Sequence, residues 1–246
     1  MPMHDWTRVD PNDYHTFHLF WLGTLASALN RNRLPEGFYA MADHTTPPFV
    51  PDVVTLSSDD APNPDEESEG GVAVAASPKT RISATEHGRK RKPAGRRRVA
   101  IKHIRDRRIV AIIEIVSPSN KAKKAEFNDL VGKSVQSLRQ GIHVMLIDPF
   151  PPTRRDPNGI HAAVWKELTG KKAEEHHHKP RTLASYAARG DDMYSSFVEP
   201  VSVGDTLPDM PLFLTPGRHV PAPLEDSYRT AWDGYPQPLR KLLETT

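Results

Sequence analysis

Apolar residues recur at helical spacing near the start of the chain, where Phe17, Phe20, Trp21, Leu25 and Leu29 fall three, one, four and four residues apart. That spacing predicts an amphipathic helix over Asp13 to Asn30 with an aromatic entry, ended by the polar residues before Pro35. The pattern then shifts to β-rich segments, GFYAMADHT and, past Pro47-Pro48, FVPDVVTL, both read as strands. Val99, Ile101 and Ile104 precede an Arg105-Asp106-Arg107 turn, after which Ile109 to Val116 is a nearly continuous apolar run. A β-hairpin whose second strand lies inside a sheet fits this pattern. Helical periodicity returns with Phe127, Leu130, Val131, Val135 and Leu138, closing at Gly141, and IHVMLIDPF follows as another buried strand. A strand, a helix and a strand in that order imply a right-handed parallel crossover, so the expected fold class is α/β with a mixed central sheet.

The signal weakens after Pro151. A short helix is expected around Ile160 to Leu168, and Leu183–Ala188 and Met193–Val203 are expected to pair as a sheet extension. PDMPLFL reads as an edge strand, and Tyr228–Trp232 and Pro238–Glu244 read as helical. Residues 57–97 differ from everything around them: six acids between Asp59 and Glu69, a run of Gly, Ala, Ser and Pro, then a basic tract. With too little apolar surface to offset its ordering entropy, this stretch is expected to be a disordered charged insertion. The resulting organisation is a core over residues 1–150, interrupted by the insertion at 57–97, and a C-terminal extension over 151–246 packed on that core.

Composition narrows the function classes. At 246 residues with 37% apolar content the chain can bury a sizeable core, while its 24 prolines demand many loops. The absence of cysteine rules out disulfides, thiolate metal sites, iron–sulfur clusters and a thiol nucleophile. No run reaches the roughly 18 to 20 apolar residues of a membrane span, and the Met1-Pro2-Met3-His4-Asp5-Trp6 start has no signal pattern, so a cytoplasmic protein without membrane contact is expected. A net charge of +2 says little about partners, but its distribution says more.

Two carboxylates draw attention. Asp52 opens the PDVVTL strand and Glu114 sits within the buried Ile113-Glu114-Ile115-Val116 run. A carboxylate in an apolar strand is costly unless paired, hydrogen-bonded or bound to a metal. If the two strands are neighbours, Asp52, Glu114 and the backbone carbonyl of Ile115 form an oxygen set suited to Mg²⁺, which activates water and offsets charge on phosphorus in phosphodiester cleavage. Lys121, just past the SPSN loop, and Lys133, on the next helix, are the candidate accompanying cations. A purely structural reading stands beside this one: Asp52 as a turn residue and Glu114 paired with Arg105 or Arg108.

The stretches HDWTRVDPNDYHTFHLFW, PDVVTL, IVAIIEIVSPSNK and GIHVMLIDPF together resemble a bacterial family, domain of unknown function 4058. More distantly, PDVV with EIVSPS and a lysine eight residues before a helix-ending glycine is similar to the Uma-type restriction-endonuclease-like proteins. The resemblance implies a PD-(D/E)XK nuclease core flanked by helices, with Asp52 and Glu114 at the metal positions. Val116 stands where that superfamily's lysine sits, and the Uma-type pattern implies that Lys133 has taken the role. On a helical wheel, however, Lys133 lies roughly 140° from the centre of the apolar stripe, which directs it toward solvent. A metal-dependent endonuclease is the leading expectation, and a catalytically inactive nuclease-fold module binding nucleic acid or protein is the alternative.

The remaining signals are less specific. Arg89, Lys90, Arg91, Lys92, Arg96, Arg97 and Arg98 give seven cations in the twelve residues from His87 to Arg98, a window without an aromatic of the kind that stacks on bases, fitting salt-sensitive DNA or RNA binding of low sequence specificity or self-association with the acidic half of the insertion. Assembly into a homo-oligomer is compatible with the sequence. His15 and His18, three apart on the first helix, are expected to satisfy neighbouring groups rather than hold a metal, and His176-His177-His178 to be a solvated loop. Ser117 and Ser119 lack a hydrolase elbow and are expected to cap the following helix.

Overall fold

The structure, a computed structural model, describes residues 3–43, 78–88, 98–103, 108–174 and 180–244. After a short 3-10 turn at Trp6–Arg8, helix α1 spans Pro11–Asn32, with Asp10 accepting from the Asn12 amide and Pro11 in the first turn. Strand β1 is Phe38–Asp43, β2 is Ile82–His87, β3 is Arg98–His103 and β4 is Ile109–Ile115. A one-and-a-half-turn helix α2 (Pro118–Ala122) leads into α3 (Lys124–Arg139), then β5 (His143–Asp148) and α4 (Gly159–Thr169). The chain continues with β6 (Arg181–Gly190), β7 (Met193–Val201), β8 (Met210–Thr215), β9 (Arg218–Ala222), α5 (Leu224–Asp233) and α6 (Gln237–Glu244).

Seven strands form one sheet in the order β1-β3-β4-β5-β6-β7-β2. Every neighbouring pair is antiparallel except β4 and β5, which are parallel and joined through α2 and α3, as the apolar pattern predicts. The protein is thus mixed α/β with a large, mostly antiparallel sheet flanked by helices. One face carries Ile101, Ile113, Ile115, Met145, Ile147 and Leu183 and is covered by α1, α5 and β8 and β9. The other carries Ile112, Val116, Val144, Leu146 and Tyr186 and is covered by α3 and α4. Strands buried on both faces explain why β4 and β5 read as continuous apolar runs.

The N-terminal segment is locked down by aromatic stacking. The His4 ring lies 3.6 Å from that of Trp232, its Nδ1 is 2.8 Å from the Tyr228 hydroxyl, and the Met3 amide donates to the Asp205 carbonyl. No helix among the described residues is long and apolar enough to cross a membrane.

Three expectations change. Ile82–His87, assigned from composition to the insertion at 57–97, is strand β2, paired with β7 along its length. Its alternating half-buried and exposed residues suffice for an edge strand that borrows its order from β7. PDMPLFL is not an edge of the main sheet: β8 pairs with β9 in a separate two-stranded ribbon, with Pro211 opposite Pro221. Phe20 is 42% exposed, because the buried stripe runs through Tyr14, Phe17, Trp21, Leu25 and Leu29 and Phe20 is turned about 120° from its centre. Leu183–Ala188 and Met193–Val201 pair as expected, within β6 and β7, and extend the sheet beside β5. The FVPDVVTL segment, Ile104 and the Arg105-Asp106-Arg107 turn lie outside the described residues.

Candidate functional site

Alternation along β4 sends Ile113 and Ile115 to the α1 side and Ile112, Glu114 and Val116 to the α3 side, so Glu114 lies in the layer between sheet and α3 and is only 5% exposed. It stands opposite Leu146 of β5, and extending the β3–β4 register by one residue beyond Val99–Ile113 sets Arg98 across from it. Arg98 in turn pairs in register with Asp43 of β1. The carboxylate therefore sits at the C-terminal end of the parallel pair, where α/β sheets commonly expose their functional groups.

At the end of β4, helix α1 adds side-chain hydrogen bonds to the last carbonyls of the strand. His18 Nε2 is 2.9 Å from the Ile115 carbonyl and the Tyr14 hydroxyl donates to the Val116 carbonyl at 3.0 Å. Burial holds the Tyr14 phenol well above its ordinary range, so it acts as a donor at all ordinary pH. The expectation that these histidines satisfy neighbouring groups holds for His18. The Val116 amide still reaches the Ile147 carbonyl, 2.8 Å away, and Ser117 then caps α2, its amide donating to Asn120 Oδ1 at 2.7 Å and its hydroxyl to the same oxygen at 2.9 Å.

The two candidate lysines have different fates. The Lys121 ammonium is buried and meets Asp148 at 2.8 Å, Asp156 at 2.9 Å, the Pro151 carbonyl at 2.9 Å and the Phe150 carbonyl at 3.3 Å. It ties α2 to the end of β5 and to the loop that follows. Asp156 also accepts from the amide and the hydroxyl of Thr153, and Arg155 Nη1 donates to the Lys121 carbonyl. Burial raises the Asp148 carboxyl to about 6, against the opposing pull of the Lys121 charge and its hydrogen bond, with Asp156 adding to the rise.

Lys133 is buried too, contrary to the wheel-based expectation, and pairs with Asp129 one turn earlier at 3.3 Å. The wheel misleads because α3 is enclosed by α2, α4 and the sheet, so that Ser134 and Ser137 are buried along with the apolar stripe. Glu114 on β4 and Lys133 on α3 are thus both buried, while Lys121 is tied to the end of β5.

Asp52, Arg89, Lys90, Arg91, Lys92, Arg96 and Arg97 lie outside the described residues, as does the His176-His177-His178 run; Arg98 opens β3. Among the described residues no three His, Asp or Glu side chains converge as a metal-holding group. The described oxygen donors at the end of β4 include the Glu114 carboxylate and the Ile115 carbonyl, hard ligands of the kind Mg²⁺ takes. Sequence reasoning missed the Lys121–Asp148–Asp156 cluster, although the rule that singled out Glu114 applies equally to Asp148, a carboxylate closing a buried strand. No family model, curated protein or solved structure matches this chain.

Proposed function

We propose that this protein is a metal-dependent phosphodiesterase acting on nucleic acid through a PD-(D/E)XK-like site centred on Glu114. The reading is carried by one observation: Glu114 on β4 and Lys133 on α3, a carboxylate and an ammonium, are both nearly fully buried. The order α1, β1, β3, β4, α3, β5, with two antiparallel pairings followed by a parallel one, supports a restriction-endonuclease-like core. Glu114, the Ile115 carbonyl and Asp52 would hold Mg²⁺, whose chemistry is to acidify a water and neutralise charge on phosphorus. The Lys133 ammonium would offset the charge that builds on the phosphoryl oxygens. With Lys121 committed to Asp148 and Asp156, Lys133 is the better candidate for that role. Arg98 and the basic residues before it supply nonspecific attraction to the phosphate backbone.

A second reading, a nuclease-fold module that binds nucleic acid or protein without cleaving, draws on Val116 at the superfamily's lysine position and on the hydrogen bond that His18 makes to the Ile115 carbonyl. Cleavage assays on single-stranded and duplex DNA and RNA with Mg²⁺ or Mn²⁺ separate the two. The phosphodiesterase reading expects metal-dependent cleavage that falls about a hundred-fold or more in Glu114→Gln and in Lys133→Met. Salt-sensitive binding without cleavage, or cleavage indifferent to both substitutions, rejects it.

A further inference from the structure

We infer that His18 and Tyr14 are positioning residues for the Glu114 site, a reading that rests on the function proposed above. Two side chains one helical turn apart on α1 grip two successive peptide carbonyls directly after Glu114, those of Ile115 and Val116. These carbonyls fall where β4 ends. A buried carbonyl must be satisfied, and helix α1 gives each of these a side-chain donor. A carbonyl oxygen has two lone pairs, so the hydrogen bond from His18 takes one and leaves the Ile115 oxygen able to ligate a cation with the other.

The grip itself is rigid. Tyr14 is fully buried, packed edge-on to Phe150 at 4.8 Å and to Trp6 at 5.1 Å, and His18 is 6% exposed. A ligand held by a fixed neighbour is preorganised, and removing such a neighbour typically weakens metal affinity by about ten- to a hundred-fold. His18 thus fixes the Ile115 oxygen from the α1 side while Glu114 projects on the α3 side of the same strand, so the two donors are set by different layers.

The test titrates the full-length protein with Mg²⁺ by calorimetry, in wild type, Glu114→Gln, His18→Leu, His18→Gln and Tyr14→Phe. Amide exchange at Val116 and Ser117 is followed in each without metal. The inference expects His18→Leu to weaken Mg²⁺ binding about ten-fold or more. It expects His18→Gln, which keeps a donor, to recover most of that loss, and His18→Leu and Tyr14→Phe to speed exchange at the end of β4. Wild-type affinity in a folded His18→Leu overturns it, as does a loss that His18→Gln fails to restore. If wild type binds no Mg²⁺, the metal reading fails by itself; the positioning role then stands or falls on whether exchange at Val116 and Ser117 changes.

Discussion

Lys121 shows how strongly a single buried charge constrains this protein. Its ammonium is the only cation meeting Asp148 and Asp156 among the ion pairs of the described residues, and both carboxylates are essentially inaccessible to water. Lys121→Met would leave two buried carboxylates without their counter-charge, and a loss of about 3 to 5 kcal/mol in urea unfolding at pH 7 is expected. Asp148 gives the cluster a proton dependence of definite sign. Its carboxyl is raised to about 6, so its contribution to stability is full below the ordinary carboxylate range and is lost as pH rises through about 6. The stability of wild type relative to Asp148→Asn should therefore increase as pH is lowered from 7 to 4, by on the order of 2 to 3 kcal/mol, and a flat difference would contradict the assignment. The sequence exposes the cost of Glu114 and Asp148 in apolar strands. It does not reveal which partner meets that cost, because Lys121 reaches Asp148 across 27 positions and Asp156 across 35, contacts that only the fold creates.

Among the elements, α3 ends as its sequence announces. Gly141 has φ +76°, its amide donates to the Leu138 carbonyl and the Ile142 amide to Ser137, the paired bonds of a Schellman cap with Ile142 buried beyond it. A Cβ at Gly141 meets nothing within 4 Å, so Gly141→Ala should cost only the backbone strain, about 1 kcal/mol by thermal or urea unfolding. Periodicity identified α1, α3, β4 and β5 because each buries a stripe or both faces of its own. It failed for β2 and β9, whose residues, such as Ser83, Thr85, Glu86, Arg218 and Pro221, carry no pattern of their own and depend on a neighbouring strand. Strand β2, an edge with one partner strand among the described residues, should accordingly exchange its amides much faster than β4 or β5 under native conditions. Protection of β2 equal to that of β4 would mean that it is secured by more than β7.

For the whole molecule, acid acts through opposing groups. Burial lowers both His4 and His143 to about 4; His4 stacks on Trp232, and His143 Nδ1 accepts from the Ala188 amide at 3.1 Å. A histidine held neutral contributes stability above its ordinary value near 6.5 that is lost as pH falls toward 4, the reverse of Asp148. Burial also lowers His219 and raises Asp209; with three histidines lowered against two carboxyls raised among the described residues, unfolding free energy should decline overall between pH 6.5 and 4, and His143→Gln should make that decline shallower. The mixed sheet with its one parallel pair was legible from the apolar runs and the helix between them. The candidate site was legible only in part: Glu114 and Lys133 stood out by residue type, but the burial of Lys133 follows from the packing of three elements around α3, and the hold of His18 on Ile115 from α1 crossing the end of β4.

The central claim is that Glu114 is a ligand of a divalent-cation site. A calorimetric Mg²⁺ titration of wild type against Glu114→Gln, with both shown to be folded, tests it most directly. Saturable binding in wild type that disappears in Glu114→Gln is the predicted result. Binding of equal strength in both proteins, or none in wild type, would contradict the account.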